Sequence, residues 1–207
     1  MNEAPFFRTL GSCVATALLV VLPGCSSNSP GPDTPDPELP IEMQRTSIAK
    51  TIEYLELAWR HGLYPQYENV LHDQFEFIPL EEDAADFPWM TGSSWSKTEE
   101  LGIAQHMFDP NFSAENPPIH AIEIDLTEIS RREIAPNHIE VNCTQQGRVL
   151  TAANDGWSFD TRVLIEIVPD PEEPGLFQVI KQTEVPFTSP SPSVEETSWG
   201  SIKSLYR

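Results

Sequence analysis

Adjacent His72 and Asp73 are residue types that could move a proton. Imidazole titrates near neutral pH, and a carboxylate can orient it. The two sit where a helix is expected to give way to a strand, so their side chains should point apart. His106 falls on an amphipathic helical segment, where a histidine either faces solvent or joins a pocket wall. Tyr54, Trp59, Tyr67 and Trp157 offer aromatic walls with polar tips, the material of a small-molecule pocket or of ordinary core packing. Asp125 and Asp160 alternate with apolar neighbours, which places them toward solvent. Metal ligands do not cluster. His61 and His72 are far apart, Cys143 has no Cys or His beside it, and Thr151 and Ala153 stand where a calcium loop would need oxygen ligands. The run Glu81-Glu82-Asp83 reads as a solvated loop. Gly147 and Gly156 build no phosphate loop, and no G-x-S-x-G elbow occurs. No catalytic set is assigned, and neither a cofactor nor a metal is expected.

The elements that must hold these residues follow from periodicity. Thr46 or Ser47 can cap a helix running to His61. Ile48, Ile52, Leu55 and Trp59 form one apolar stripe on it, and Gly62 is a natural stop. A short helix is expected over Pro65–His72, with Tyr67, Val70 and Leu71 inward, then a strand over Gln74–Ile78. Residues 79–95 read as irregular. Ser96 and Glu99 make a capping box for a third helix carrying Leu101, Ala104 and Phe108, which ends at Asp109-Pro110. Beyond it the pattern alternates. Ile122–Leu126, Ile139–Cys143 with an extension through Gly147–Ala153, Trp157–Ile167 and Leu176–Val185 read as strands. Asn154-Asp155-Gly156 makes a hairpin turn, and the Asp170–Gly175 segment makes another. A short helix can close the chain in the segment ending at Arg207. Helices gathered before an antiparallel meander argue for an α+β domain.

Three segments carry a family resemblance. Residues 67–77, YENVLHDQFEF, look like the passage from second helix to first strand in the NTF2-like (SnoaL-like, cystatin-like) superfamily. Trp95 before Thr98-Glu99-Glu100-Leu101 is similar to the third-helix start of lipoprotein members. The ending WGSIKSLYR, residues 199–207, is similar to a recurrent tail in them. The resemblance spans residues 44–187, with a tail at 188–207. It implies N-terminal helices packed on a curved antiparallel sheet, shaped as a cone with a pocket. The pocket could hold a small apolar ligand, walled by Tyr54, Trp59, Tyr67, His106 and Trp157. It also implies a homodimer formed through the sheet. The superfamily hosts enzymes, binding modules and transport factors, so fold alone assigns no activity.

The first 24 residues read as a signal segment. Arg8 and the amino terminus outweigh Glu3, and the apolar run Leu10–Leu22 is shorter than the roughly 20 residues that span a bilayer. Leu22-Pro23-Gly24-Cys25 resembles the lipobox of bacterial lipoproteins, which implies cleavage between Gly24 and Cys25 and acylation of Cys25. Ser26 after the Cys then implies the outer rather than the inner membrane. Residues 25–43 contain Pro30, Pro32, Pro35, Pro37 and Pro40, which forbid helix and central strand. Extended polyproline at about 3.1 Å per residue gives residues 26–40 a reach of about 45 Å. The chain carries 32 acidic and 12 basic residues, a net charge of −20. Loss of residues 1–24 removes Glu3 and Arg8 and leaves that balance unchanged. Such a charge opposes nucleic-acid binding and adsorption to anionic headgroups, so attachment to a membrane falls to the lipid. With Cys13 cleaved away and Cys25 acylated, Cys143 is left without a partner.

Three functional expectations follow. The leading one is a membrane-anchored binding or interaction module of the cell envelope, without catalysis. The second is an isomerase, cyclase or hydratase of the SnoaL type acting on a small apolar substrate. The third is a dimeric structural envelope protein.

Overall fold

Of the two candidate caps, Thr46 and Ser47, it is Ser47 that begins the first helix, its hydroxyl accepting the Lys50 amide at 3.3 Å. The computed structural model describes residues 44–112, 116–151, 155–186 and 197–207. The signal segment, Gly24, Cys25, the Pro-rich spacer, Asn154 of the hairpin turn and residues 187–196 lie outside the described residues.

Helix α1 spans Ile48–Arg60 and buries Ile48, Ile52, Leu55 and Trp59, the predicted stripe. Gly62 follows with φ of +62°, the left-handed conformation a helix stop requires. Helix α2 (Tyr64–Val70) leads directly into strand β1 (Leu71–Ile78). A 3-10 turn over Glu81–Asp86 precedes β2 (Trp95–Ser96) and α3 (Lys97–Phe108). The capping box forms: the Glu99 carboxylate accepts the Ser96 amide at 2.8 Å. Strands β3 (Ile119–Ala135), β4 (His138–Thr151), β5 (Gly156–Pro169) and β6 (Phe177–Val185) follow, and α4 (Trp199–Ser204) ends the order. The expected extension of the second long strand is part of one continuous β4.

The sheet order is β2-β1-β6-β5-β4-β3. The neighbours β3, β4, β5 and β6 pair antiparallel, but β1 runs parallel to β6, with Phe77 opposite Gln182. The sheet is therefore mixed, not antiparallel throughout. Hairpins fix the direction of neighbours joined by short turns. No local signal fixes β1 against β6, since β2, α3, β3, β4 and β5 lie between them.

One face of the sheet turns inward. Val141, Cys143, Val163, Ile165 and Ile167 alternate onto it and are buried in the core, with Cys143 opposite Val163. Burial pushes the Cys143 thiol up to about 12, with Glu128 adding to the rise, so the thiolate is suppressed. At Gly147 a Cβ would lie 2.6 Å from the Phe159 ring and 2.0 Å from the Glu123 carbonyl oxygen. Only a residue without a side chain lets that ring and strand approach so closely.

The free edge of β3 meets α1. The Glu56 carboxylate accepts the Leu126 amide at 3.0 Å, and the Arg60 guanidinium donates to the Ile124 carbonyl at 2.6 Å. Two edge groups that could recruit another strand are satisfied within the chain. A second tie joins the approach to α1 with the β5–β6 turn. Arg45 donates to Asp170 and to the Phe177 carbonyl, each at 3.0 Å. Burial pushes the Asp170 carboxyl up. The amides of Glu172 and Glu173 and the Arg45 guanidinium outweigh that and hold it below its ordinary value.

Candidate functional site

The first turn of α3 aims Glu100 into the interior. Ser96 and Glu99 satisfy the helix start on the outside, which frees the next residue to face the sheet. The Glu100 side chain is 0 % exposed, and its two oxygens collect three donors. One accepts the Lys203 ammonium at 2.6 Å and the Tyr67 hydroxyl; the other accepts the Trp95 indole at 2.6 Å. Lys203 comes from α4 and is also 0 % exposed. Its Nζ lies 3.9 Å from the centre of the Phe77 ring, 5.2 Å from Trp59, 5.4 Å from Trp199 and 5.9 Å from Trp95. An ammonium over ring faces, paired with a desolvated carboxylate, is held by cation–π attraction and by a charge-assisted hydrogen bond.

Burial dominates the titration of this group. It raises Tyr67 well above the ordinary phenol value, and the Glu100 charge and hydrogen bond raise it further, so the hydroxyl stays protonated and donates. Burial lowers Lys203, while the charge of Glu100, its hydrogen bond and the charge of Glu184 oppose the loss of its proton. Burial pushes Glu184 on β6 up to about 7, with the Asp83 charge adding to the rise, against the Gly200 amide, the Lys203 charge and the Leu80 amide. One Glu184 oxygen accepts the Gly200 amide at 3.1 Å; the other has no hydrogen-bond partner among the described residues. A Cβ on Gly200 would lie 2.7 Å from that second oxygen and 3.2 Å from Pro79, so glycine lets α4 lie directly on the sheet. The inward face beside Glu184 carries Gln182, Thr161 and Gln145, all buried. Gln182 Oε1, Thr161 Oγ1 and Gln145 Oε1 likewise lack partners among the described residues.

The rest of the C-terminal segment seals the group. The Ser198 hydroxyl caps α4 by accepting the Ser201 amide at 2.9 Å, and the Ser201 hydroxyl donates to Asp86 at 2.8 Å. Trp199 packs on Trp59 and Phe159. The Tyr206 hydroxyl donates to the Pro117 carbonyl, and Arg207 lies 3.9 Å over Trp89.

The residues singled out in the sequence fall in three places. Trp59 and Tyr67 stand in the interior group. His106 and Trp157 meet the tail instead: His106 Nδ1 lies 2.8 Å from the Tyr206 carbonyl oxygen, and Trp157 packs edge-on against the Tyr206 ring. Trp157 also lines a cleft of about 590 Å³ beside α4, with Asp86, Ser201 and Leu205. Tyr54 lies near Arg45 and Glu173, away from the group. His72 and Asp73 go to separate partners. The His72 ring accepts the Gln74 amide, and Asp73 pairs with Lys97 at 3.0 Å. Glu100, Lys203, Trp95 and Glu184 have no local signature of a site role in the sequence. The apolar spacing of Trp199, Ile202 and Tyr206 in the tail is the signal that could have pointed to α4 as an interior element.

The overall arrangement has counterparts among solved structures. One is a proposed aromatic ring hydroxylase from Novosphingobium aromaticivorans, 12 % identical, with a TM-score of 0.52 over 74 % of this chain and 94 % of that one. A conserved protein from Planctomyces limnophilus is 12 % identical, with a TM-score of 0.51 over 68 % and 94 %. LinA is 10 % identical, with a TM-score of 0.50 over 74 % and 92 %. No family model matches the chain, and the curated proteins give no match. At such identities the likeness is one of architecture: N-terminal helices packed on a mixed sheet.

Proposed function

We propose that this NTF2-like domain transfers protons on a small ligand held between its helices and the inward sheet face, as an isomerase, cyclase or hydratase would. One observation supports the reading. Glu184 is a carboxylate raised to about 7, has an unpartnered oxygen, and lies beside the buried Glu100–Tyr67–Lys203 group. A general base works best with a pKa near the operating pH, and pairs of titratable groups with separated pKa values are the usual material of acid–base sites. The proposed hydroxylase from Novosphingobium shares the architecture and is consistent with small-molecule chemistry in such an interior. Glu100 and Lys203 are enclosed, so a ligand enters only when α4 lifts from the sheet. The cone described for the superfamily would be the space that α4 then vacates.

The test is proton exchange. Small carbonyl compounds with apolar bodies, neutral and charged, are incubated with the protein in deuterated water and followed by NMR. At least one should exchange its α-proton at least tenfold faster with wild type than with Glu184→Gln. Equal rates for the two proteins across the panel would remove the enzyme reading. A second reading, a binding or interaction module without catalysis, is favoured by the complete enclosure of the group with α4 in place.

The address belongs to the same proposal. Acylation of Cys25 would tether the domain to the outer membrane, with the spacer holding it off the surface. Cys25→Ala is expected to move the protein from the membrane fraction to the soluble fraction. Retention in the membrane would exclude the anchor. A homodimer through the outward sheet face would join charged surfaces, since Lys181, Glu166, Glu140 and Arg132 follow one another across that face. Sedimentation of the protein would show the dimer, and a monomer at high concentration would exclude it.

A further inference from the structure

We infer that the interior is a receptor for a primary ammonium group on a short alkyl chain, and that Lys203 fills it in cis. The inference rests on the reading of this interior as a ligand site, and it names the ligand's chemistry. Most of the receptor stands without α4. Glu100 belongs to α3, Trp95 to β2, Phe77 to β1, Tyr67 to α2 and Trp59 to α1. The carboxylate that accepts the ammonium is itself fixed by the Tyr67 hydroxyl and the Trp95 indole, so its orientation does not depend on the lysine. Rings at 3.9 to 5.9 Å surround the charge and exclude water from it. Carboxylate plus aromatic faces is a selective seat for a cation, and the closed rings favour one with a slender apolar stem.

An independent feature of the sheet points the same way. Next to the seat, the unpartnered buried atoms on the inward face are Glu184 Oε2, Gln182 Oε1, Thr161 Oγ1 and Gln145 Oε1. All four can accept a hydrogen bond, and the two glutamine oxygens can do nothing else. Phe77 of the cage lies directly opposite Gln182, and Glu184 follows two residues along the same face. A ligand rich in N–H donors satisfies this surface, whereas a carboxylate or phosphate would face acceptors and two buried acids. The occupant that fits is therefore an alkylamine, with any second donor group directed at Glu184 and Gln182.

The experiment excises the built-in ligand. In the full chain, Lys203→Ala removes three methylenes and the ammonium, the equivalent of n-propylammonium. The melting temperature of K203A is followed with 50 mM n-propylammonium chloride, with 50 mM sodium chloride and with 50 mM 1-propanol. A rise of about 3 °C with the amine over the salt is expected, with none for the alcohol. Wild type and Lys203→Met, whose seats are filled, should not respond. If K203A is unfolded alone, recovery of its near-UV circular dichroism by n-propylammonium but not by 1-propanol is the same result. No gain over sodium chloride, or an equal gain in wild type and K203M, would overturn the inference. Faster α-proton exchange by wild type than by E184Q, seen alongside that failure, would leave the proton-transfer reading standing and remove only the amine.

Discussion

Glu100→Gln is expected to be the most damaging single change in the domain, with a loss of about 3 to 5 kcal/mol in chemical denaturation. The substitution keeps the shape and removes the charge. It leaves the Lys203 ammonium enclosed with no counter-ion, and a buried charge without a partner is costly because the protein cannot solvate it as water does. For a domain of this size the melting temperature should fall by about 10 °C. Removing the second charge as well, in Glu100→Gln with Lys203→Met, should recover most of the loss, because the penalty lies in the unpaired charge. The two substitutions share one contact and will not add. The Lys97–Asp73 pair gives the contrast. Asp73 is 91 % exposed, and its loss should cost less than about 1 kcal/mol. Equal effects at the two pairs would mean that Glu100 and Lys203 are not enclosed together.

Glu184 sets the second large effect, a dependence on pH. Its folded pKa of about 7 lies above its ordinary value of 4.5, so between those limits the native state binds the proton that the unfolded chain has lost. Stability contributed by the neutral carboxyl is complete below pH 4.5 and is lost as pH rises through about 7. The total is about 3 kcal/mol. Glu184→Gln removes the slope. It should match wild type near pH 4.5 and exceed it by up to about 3 kcal/mol at pH 8, read as the difference in unfolding free energy between the two proteins. Asp170 is lowered from 3.8, so its own loss of stability falls at more acid pH. Lys203, lowered from 10.5, contributes an opposite slope on the alkaline side. The comparison is cleanest from pH 4.5 to 7. A constant difference across that range would contradict the burial of Glu184 beside α4.

Local order in this fold is written locally. The stripe from Ile48 to Trp59, the stop at Gly62 and the capping box of Ser96 and Glu99 are short-range patterns, and each appears where its spacing places it. The alternation of β3 to β5 likewise identifies the inward face, because a strand with one buried side has a period of two. The parallel pairing of β1 with β6 has no such signature, and neither does the interior group. Glu100 follows Glu99 in the acidic first turn of a helix, where a carboxylate is ordinarily explained by the helix dipole. Its partner Lys203 is 103 residues away, and Tyr67 is 33 away. No periodicity links positions so distant. The tail was legible as a short helix. Its place inside the domain was not, since Pro186, Pro190 and Pro192 separate it from the last strand.

The account depends most on Lys203 being held inside the domain by Glu100. Nitrogen-15 NMR of the lysine ammonium groups tests this directly. At neutral pH and room temperature Lys203 should give a slowly exchanging ammonium resonance, shifted by the surrounding rings and with cross-peaks to the Trp95 indole, and Glu100→Gln should abolish it. An ammonium of Lys203 that exchanges with water too fast to give a resonance would contradict the account.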